Sequence, residues 1–470
     1  MSNFRLFDIT IEEKTFVTDR INLVKENQLS SNNYFSLIIG NNGTGKSRVL
    51  SSIARFFVNE FKNVQQKHLF NSGFNFNQIP NKVIAITNSI SDKFPVDQSF
   101  RPSENYDDLI SPKDFRYNYL GTRNKINSFS NKALMNRALD ILFENYSELD
   151  VSRNYRHVFE YLDYEPIIKL DFRLSNQIFE NSMGEVTPEI LINYLENRLF
   201  NNRFRHFSYE RMEVIVHNKI NELCDFINSQ RNRENEILIN FSEKNIFRIY
   251  HDRSMYYENV ETYNLLGILK KLDIVKGIEI KVYKKGGFEF NFNDASSGEA
   301  NILSTLIALI PLIQDNSLIL IDEPEISLHP LWQSQYINLL ENIFSNFNGC
   351  HIIIASHSPF LVTDLPSENS SVITLINKKG RIVSELINES TFGWSAEDIL
   401  LNVFGLPTPR NFYLSQMISR ALELLANANR SESELNSLKS NIAKFYPLIK
   451  NNDPLKHVAN LIIEEVRNER

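Results

Sequence analysis

Between Asn293 and Pro359 the chain reads Ser296-Ser297-Gly298-Glu299, then Ser317-Leu-Ile-Leu-Ile-Asp322-Glu323-Pro324. It continues with His329-Pro330 and with Ile352-Ile-Ile-Ala-Ser356-His357-Ser358-Pro359. The run from Ser317 to Ile321 is apolar enough for a strand buried on both faces, and it ends in two acids. Acids at the carboxyl end of a buried parallel strand sit where open α/β sheets bind their ligands. A buried acid pair is costly unless a cation uses it, so a purely structural role explains Asp322 and Glu323 poorly. Ile352 to Ala355 reads as a second buried strand, with His357 just past its end. Upstream of both, a helix from about Glu299 to Ile310 places Ser296, Ser297 and Gly298 at a helix N-terminus, a position suited to an anion.

Working outward, the other half of the same chemistry lies near the start of the chain. Tyr34-Phe-Ser-Leu-Ile-Ile39 reads as a buried strand, followed at once by Gly40-Asn41-Asn42-Gly43-Thr44-Gly45-Lys46-Ser47 and a helix over Arg48 to Phe57. Strand, glycine-rich loop and helix in that order form a phosphate-binding loop, in which backbone N–H groups curl around the β-phosphate. Lys46 is placed to reach the β- and γ-phosphates, and Ser47 to put its hydroxyl on Mg²⁺. Asp322 then holds Mg²⁺ through water, Glu323 polarises the attacking water, and His357 donates a hydrogen bond to the γ-phosphate. The cofactors expected are ATP and Mg²⁺.

Composition bounds the rest. The 470 residues are 42% hydrophobic and 23% charged, ordinary for a soluble globular chain with room for about three domains. A net charge of −7 argues against a surface that coats itself with nucleic acid, though a local basic groove is compatible with it. Cys224 and Cys350 lack metal spacing and read as reduced thiols. The start Met-Ser-Asn-Phe-Arg carries no signal pattern, and no apolar run approaches the ~20 residues of a membrane span. The expectation is a cytoplasmic protein without membrane contact.

Taken in order, Phe4 to Ile11 reads as a strand, as does Val83 to Thr87. Ser89 to Phe94 and Tyr119 to Arg123 read as surface loops. From about Asn124 to Asn240 the periodicity is helical, with Leu134, Ala138, Ile141 and Leu142 on one face and Val216, Ile220, Leu223 and Ile227 on another. The pieces are too short for a coiled-coil arm. Arg203, Arg205, His206 and Arg211, interleaved with Phe204 and Phe207, read first as solvated helix surface and second as a phosphate-backbone contact. Ile278 to Tyr283 and Phe288 to Phe292 form a hairpin, as do Val372 to Ile376 and Arg381 to Leu386. The tail from Thr391 is helical, with caps at Ser395 and Ser431 and a last helix opening at Asp453-Pro454. The apolar face of that last helix packs internally or docks a second protein. The expected division is 1–123 for the first part of an ATPase head, 124–275 for a mainly helical insertion, 276–390 for the second part of the head, and 391–470 for a helical tail.

As a set, these motifs resemble the ABC-type ATPases. Gly40 to Ser47 matches their asparagine-containing phosphate loop. Ala295-Ser296-Ser297-Gly298-Glu299 looks like their signature, with serine for one glycine, glutamate for the terminal glutamine and alanine for the usual leucine. The resemblance implies a P-loop head, a mixed sheet flanked by helices, that pairs with a second copy. Ser296, Ser297, Gly298 and Glu299 of one head would then meet nucleotide held at Lys46 of the other, and His329 would fall in the loop that contacts the second subunit. No glutamine stands out in the segments where that family places its Mg²⁺-sensing glutamine.

Within this group, Ser-Ser-Gly-Glu, Asp-Glu-Pro-Glu-Ile-Ser-Leu-His-Pro and Ala-Ser-His-Ser-Pro are similar to the overcoming-lysogenization-defect (OLD) and Septu or retron-associated defence ATPases. Asn88 to Phe94, Tyr119 to Arg123 and Phe392-Gly-Trp394-Ser395 with Ile399-Leu400 look most like the PtuA type. The OLD proteins carry a nuclease domain after the head. The roughly 80 residues after the last expected hairpin are too few for such a domain. The resemblance therefore implies an HNH-type nuclease of the PtuB kind on a separate chain, with nucleic acid or a retron RNA–DNA complex as a further partner. Three other readings stand beside it. A clamp of the chromosome or repair type, acting directly on DNA, would want long arms or a basic groove. A transporter motor fits poorly with the large insertion. A module that binds ATP without turnover fits poorly with Glu323.

Overall fold

The computed structural model describes residues 3–25, 32–61, 73–89, 92–96, 116–121, 130–145, 152–180, 184–200, 209–229, 235–242, 247–251, 254–256, 260–272, 274–404, 412–426, 431–450 and 453–464. The chain forms two compact units, Met1–Phe392 and Gly393–Arg470.

The first unit is built on a mixed sheet of nine strands. Its order is Glu12–Glu13, Phe16–Thr18, Arg381–Ile387, Ser370–Lys378, Tyr34–Gly40, His351–Ser356, Leu318–Asp322, Val83–Thr87 and Tyr117–Leu120. From Ser370–Lys378 to Tyr117–Leu120 every neighbouring pair is parallel. The four strands Tyr34–Gly40, His351–Ser356, Leu318–Asp322 and Val83–Thr87 are buried at every position. Helices and a second sheet cover both faces, which is why their sequences run apolar without alternation. Register aligns the carboxyl ends. Asp322 sits opposite Thr87 on one side and Ala355 on the other, and Ser356 opposite Ile39. The loops that leave this edge therefore start level with one another.

The helix Lys46–Phe61 packs between this sheet and a small antiparallel one, ordered Ile21–Asn22, Leu6–Thr10 and Gly73–Phe76. Val49, Ile53 and Phe57 share one core with Phe4, Leu6 and Ile9 below and with Leu320 and Ile353 above. Phe56 stacks on Phe74 at 4.1 Å between ring centroids, and Phe57 meets Phe4 and Phe76 edge-on.

The span expected as mainly helical also carries strands. Tyr164–Leu174 pairs with Asn235–Asn240 and Val275–Lys284 in a six-stranded antiparallel sheet, which Ser254–Tyr256, Phe247–His251 and Phe288–Asn291 complete. Ile168, Leu170, Phe172 and Leu174 are buried, whereas Lys169 and Asp171 between them are only partly covered. Alternation over so few residues, flanked by helices, is the signal that helical periodicity hid. Two further expectations are corrected. Asp92 is 4% exposed, its carboxylate accepting the Phe94 N–H and the Tyr119 hydroxyl, and Tyr119 lies in a strand of the main sheet. Neither segment is free surface where it is described: Asp92 and Phe94 turn inward from their loop, and Tyr119 belongs to the strand that pairs with Val83–Thr87. Arg203, Phe204, Arg205, His206, Phe207, Thr122 and Arg123 lie outside the described residues.

The second unit is a small helical cluster of Ala396–Asn402, Phe412–Leu425, Glu432–Phe445 and Pro454–Glu464. Ser395 and Ser431 accept the N–H groups of Asp398 and Glu434 and so cap their helices. Met417, Ile418, Ala421, Leu435, Ile442, Ala459 and Ile462 form its core, so one face of the last helix packs internally. Among the described residues no helix is long and apolar enough to cross a membrane.

Candidate nucleotide site

The phosphate loop is shaped by backbone that only glycine takes readily. Gly43 and Gly45 have φ of +83° and +87°, and a Cβ on Gly45 would lie 2.3 Å from the Phe16 ring. The aromatic ring thus braces the loop from outside, and the Thr44 N–H turns back onto the Asn41 carbonyl at 3.3 Å. Lys46 opens the helix behind it and is 4% exposed. Its ammonium donates to the Gly40 carbonyl at 2.9 Å and meets Nε2 of His357 at 2.8 Å. The same Nε2 stands 3.6 Å from Glu323 Oε1, so it can accept from the ammonium or face the carboxylate as a donor, but not both at once. Burial lowers the Lys46 pKa, opposed by Glu323, Glu325 and Asp322.

Across the sheet edge, Ser47 Oγ donates to Asp322 Oδ1 at 3.0 Å. Asp322 is 1% exposed, and burial pushes its carboxyl up to about 7. Glu323 and Asp92 add to that rise, while Ser47 and Lys46 oppose it. A hydroxyl and a carboxylate 3.0 Å apart, in a setting short of positive charge, are a donor set that fits a hard divalent cation. Glu323 follows with φ +52°, a left-handed turn that separates its side chain from that of Asp322. His357 approaches its Oε1 to 3.6 Å. His357 and, beyond it, Lys46 hold the Glu323 carboxyl below its ordinary value despite burial.

Lys46, Ser47, Asp322, Glu323 and His357 are thus brought together. Ser296, Ser297, Gly298, Glu299 and His329 are not. Among the described residues none of these five shares a hydrogen bond or ion pair with the phosphate loop. Ser296 is exposed and caps the helix Ser297–Leu309 in a reciprocal box with Glu299. Burial raises the Glu299 carboxyl, but the partly buried ion pair with Lys284 and the bonds to Ser296 leave it below its ordinary value. A Cβ on Gly298 would lie 2.3 Å from the Ser327 carbonyl oxygen, so the signature turn rests directly on the loop that follows Glu323. His329 is exposed and caps the helix Pro330–Phe344, its Nδ1 accepting the Leu331 N–H at 3.2 Å.

Three residues at this edge escaped the sequence reading. Glu325 accepts the backbone N–H of His357, Gln333 accepts the Ser358 hydroxyl, and Asp92 contributes negative charge beside Asp322. Only Glu325 left a trace, as the second acid of Glu323-Pro324-Glu325.

A family model described as "AAA domain, putative AbiEii toxin, Type IV TA system" matches residues 35–363, well over half of the chain. The "Retron Vc95 probable ATPase" of Vibrio cholerae serotype O1 biovar El Tor is 25% identical over 403 residues, 79% of this chain and 74% of that protein. "Septu protein PtuA" of Bacillus thuringiensis is 34% identical over 102 residues, 21% of this chain and 25% of that protein. Among solved structures, an Smc head domain from Pyrococcus furiosus with an extended coiled coil, bound to the C-terminal domain of ScpA, is matched with a TM-score of 0.32 and 11% identity. That match covers 82% of this chain and 96% of that one.

Proposed function

Because the chain belongs to the family described as "AAA domain, putative AbiEii toxin, Type IV TA system", we propose that it hydrolyses ATP between two paired heads and thereby controls a nuclease on a separate chain in an anti-phage defence complex. It is an ABC-type ATPase with relatives from retron and Septu systems. What supports the finer reading is the division of the site. The phosphate loop, both acids and His357 converge on one sheet edge, while Ser296 stands apart from them, exposed, on a turn that it caps with Glu299. A half-site of each kind on one chain is completed when two chains face each other.

In this reading the loop amides and Lys46 hold the β- and γ-phosphates. Ser47 and Asp322 are the residues that would hold Mg²⁺, which when bound supplies positive charge to the transferring phosphoryl group. Glu323 orients the attacking water and accepts its proton. With Lys46 drawn to the phosphates, Nε2 of His357 is freed from its ammonium and donates to the γ-phosphate. Ser296 and Gly298 of the second head close the site from outside. The partner on which hydrolysis acts is an HNH-type nuclease of the PtuB kind, with nucleic acid or a retron RNA–DNA complex as a further component.

Ser296→Arg tests the pairing. ATP binding by calorimetry is retained, while the ATP-dependent dimer is lost in sedimentation and hydrolysis falls ~10²-fold or more. Lys46→Ala, by contrast, loses binding itself. Normal hydrolysis by Ser296→Arg would rule out a site shared between heads. Co-expression with the neighbouring genes tests the partner. A stoichiometric nuclease that copurifies supports it, and a homodimer that instead shifts duplex DNA when ATP is added favours a clamp.

A further inference from the structure

His357 lies on a loop, yet its backbone is held from two sides by the segment that carries the catalytic acid. Oε1 of Glu325 accepts the His357 N–H at 2.5 Å. One residue on, the Ser358 hydroxyl donates to Gln333 Oε1 at 2.6 Å, and Gln333 Nε2 returns to the Leu328 carbonyl at 3.0 Å. The Ser358 N–H is closed off by Ser356 Oγ at 2.8 Å.

The second oxygen of Glu325 is buried and has no hydrogen-bond partner. Its other oxygen is engaged by the His357 N–H, so the length of the side chain, which sets the reach of that acceptor, decides where this peptide sits. Because the second oxygen is closed off from the solvent side, Glu325 is not placed to activate water, unlike Glu323. What it does reach is the peptide that aims the His357 ring, which stands 2.8 Å from Lys46 and 3.6 Å from Glu323.

We propose that Glu325 is a positioning residue for hydrolysis: it ties the His357 backbone to the loop running from Glu323 to His329 and so sets where the imidazole points. The inference rests on the ATPase reading above. The same loop supports the Gly298 turn through Ser327 and carries His329 at its end. A shift of that loop therefore passes to His357 through Glu325, and through Leu328 and Gln333.

The test compares Glu325→Gln with Glu325→Asp in steady-state ATPase assays, alongside ATP affinity by calorimetry and thermal unfolding. Glutamine keeps an acceptor at the same reach and removes the charge; aspartate keeps the charge and retracts the acceptor by one methylene. Positioning predicts that E325Q retains most of kcat. It predicts that E325D loses ~10²-fold, the scale of a misplacement near 1 Å, with ATP affinity and Tm unchanged in both. An E325D variant as active as E325Q, or more so, overturns the proposal. So does a parallel fall of kcat, affinity and Tm in both variants, which would mark a residue that merely stabilises the fold. E323Q run beside them keeps the two ideas separable: undiminished hydrolysis by E323Q refutes the role given to Glu323, whereas the order of E325Q and E325D speaks only to His357.

Discussion

Replacing Asp322 by asparagine is expected to make the nucleotide-free protein more stable at neutral and alkaline pH, not less. The carboxyl is 1% exposed and titrates at about 7, against an ordinary 3.8, because burial disfavours its charged form. The folded chain then binds this proton more tightly than the unfolded chain does. Between pH 4 and 7 the unfolded state carries fewer protons, so stability falls as pH rises through that window and the loss is complete above about 7. A difference of that size corresponds to roughly 4 kcal/mol at 1.36 kcal/mol for each tenfold change in proton affinity. Asparagine cannot ionise, and its amide oxygen can still accept the Ser47 hydroxyl. Denaturant unfolding in EDTA at pH 4, 6 and 8 measures the effect. The wild type weakens steadily across the series and the variant does not, so that D322N is the more stable by about 2–4 kcal/mol at pH 8, with the two alike near pH 4. Mg²⁺ with ATP stabilises the wild type at pH 8 by more than it does the variant, which keeps Lys46 and the loop for the phosphates but lacks the carboxylate for the cation. Parallel pH profiles, or a variant less stable at pH 8, would refute the claim that the protein carries an uncompensated acid here in readiness for a cation.

Two further outcomes follow from the same geometry. Gly298→Ala places a Cβ 2.3 Å from the Ser327 carbonyl oxygen, and backbone on both sides must move to admit it. A loss of ~1–3 kcal/mol in unfolding free energy is expected, with ATP binding retained and hydrolysis reduced; an alanine variant with wild-type stability would mean the turn is not seated on that loop. Glu323→Gln keeps the shape of the acid and removes the base, so turnover drops ~10²–10³-fold and ATP-bound dimers accumulate in light scattering. Unchanged turnover would exclude Glu323 as the base.

Much of the site was legible because its signals are local. A buried strand, a loop of glycines with positive φ and a following helix are contiguous over Tyr34 to Phe61, and short-range chemistry is enough to read them. The acids ending Leu318–Asp322 and the histidine ending His351–Ser356 were visible for the same reason. Each strand is apolar throughout, and the polar residue that follows must leave the sheet at its carboxyl edge. Asp92 and Glu325 were not legible. Asp92 is defined by Tyr119, twenty-seven residues away, and Glu325 by a backbone N–H thirty-two residues away. The strand Tyr164–Leu174 shows the same limit, since its partners at Asn235–Asn240 and Val275–Lys284 lie beyond the reach of local pattern.

The amino-acid order alone determined that this chain has a phosphate loop, a carboxylate pair at a strand end and a serine–glycine turn opening a helix, because each is a local match of side chain to backbone conformation. Tertiary structure alone decided that Ser47 reaches Asp322 across 275 residues of chain, that Lys46 rests on His357 across 311, and that Ser296 is left out of their company. Parallel strands are aligned by hydrogen bonds between segments distant in sequence. That register, set by packing over the whole core, turns separate motifs into one charged and buried site.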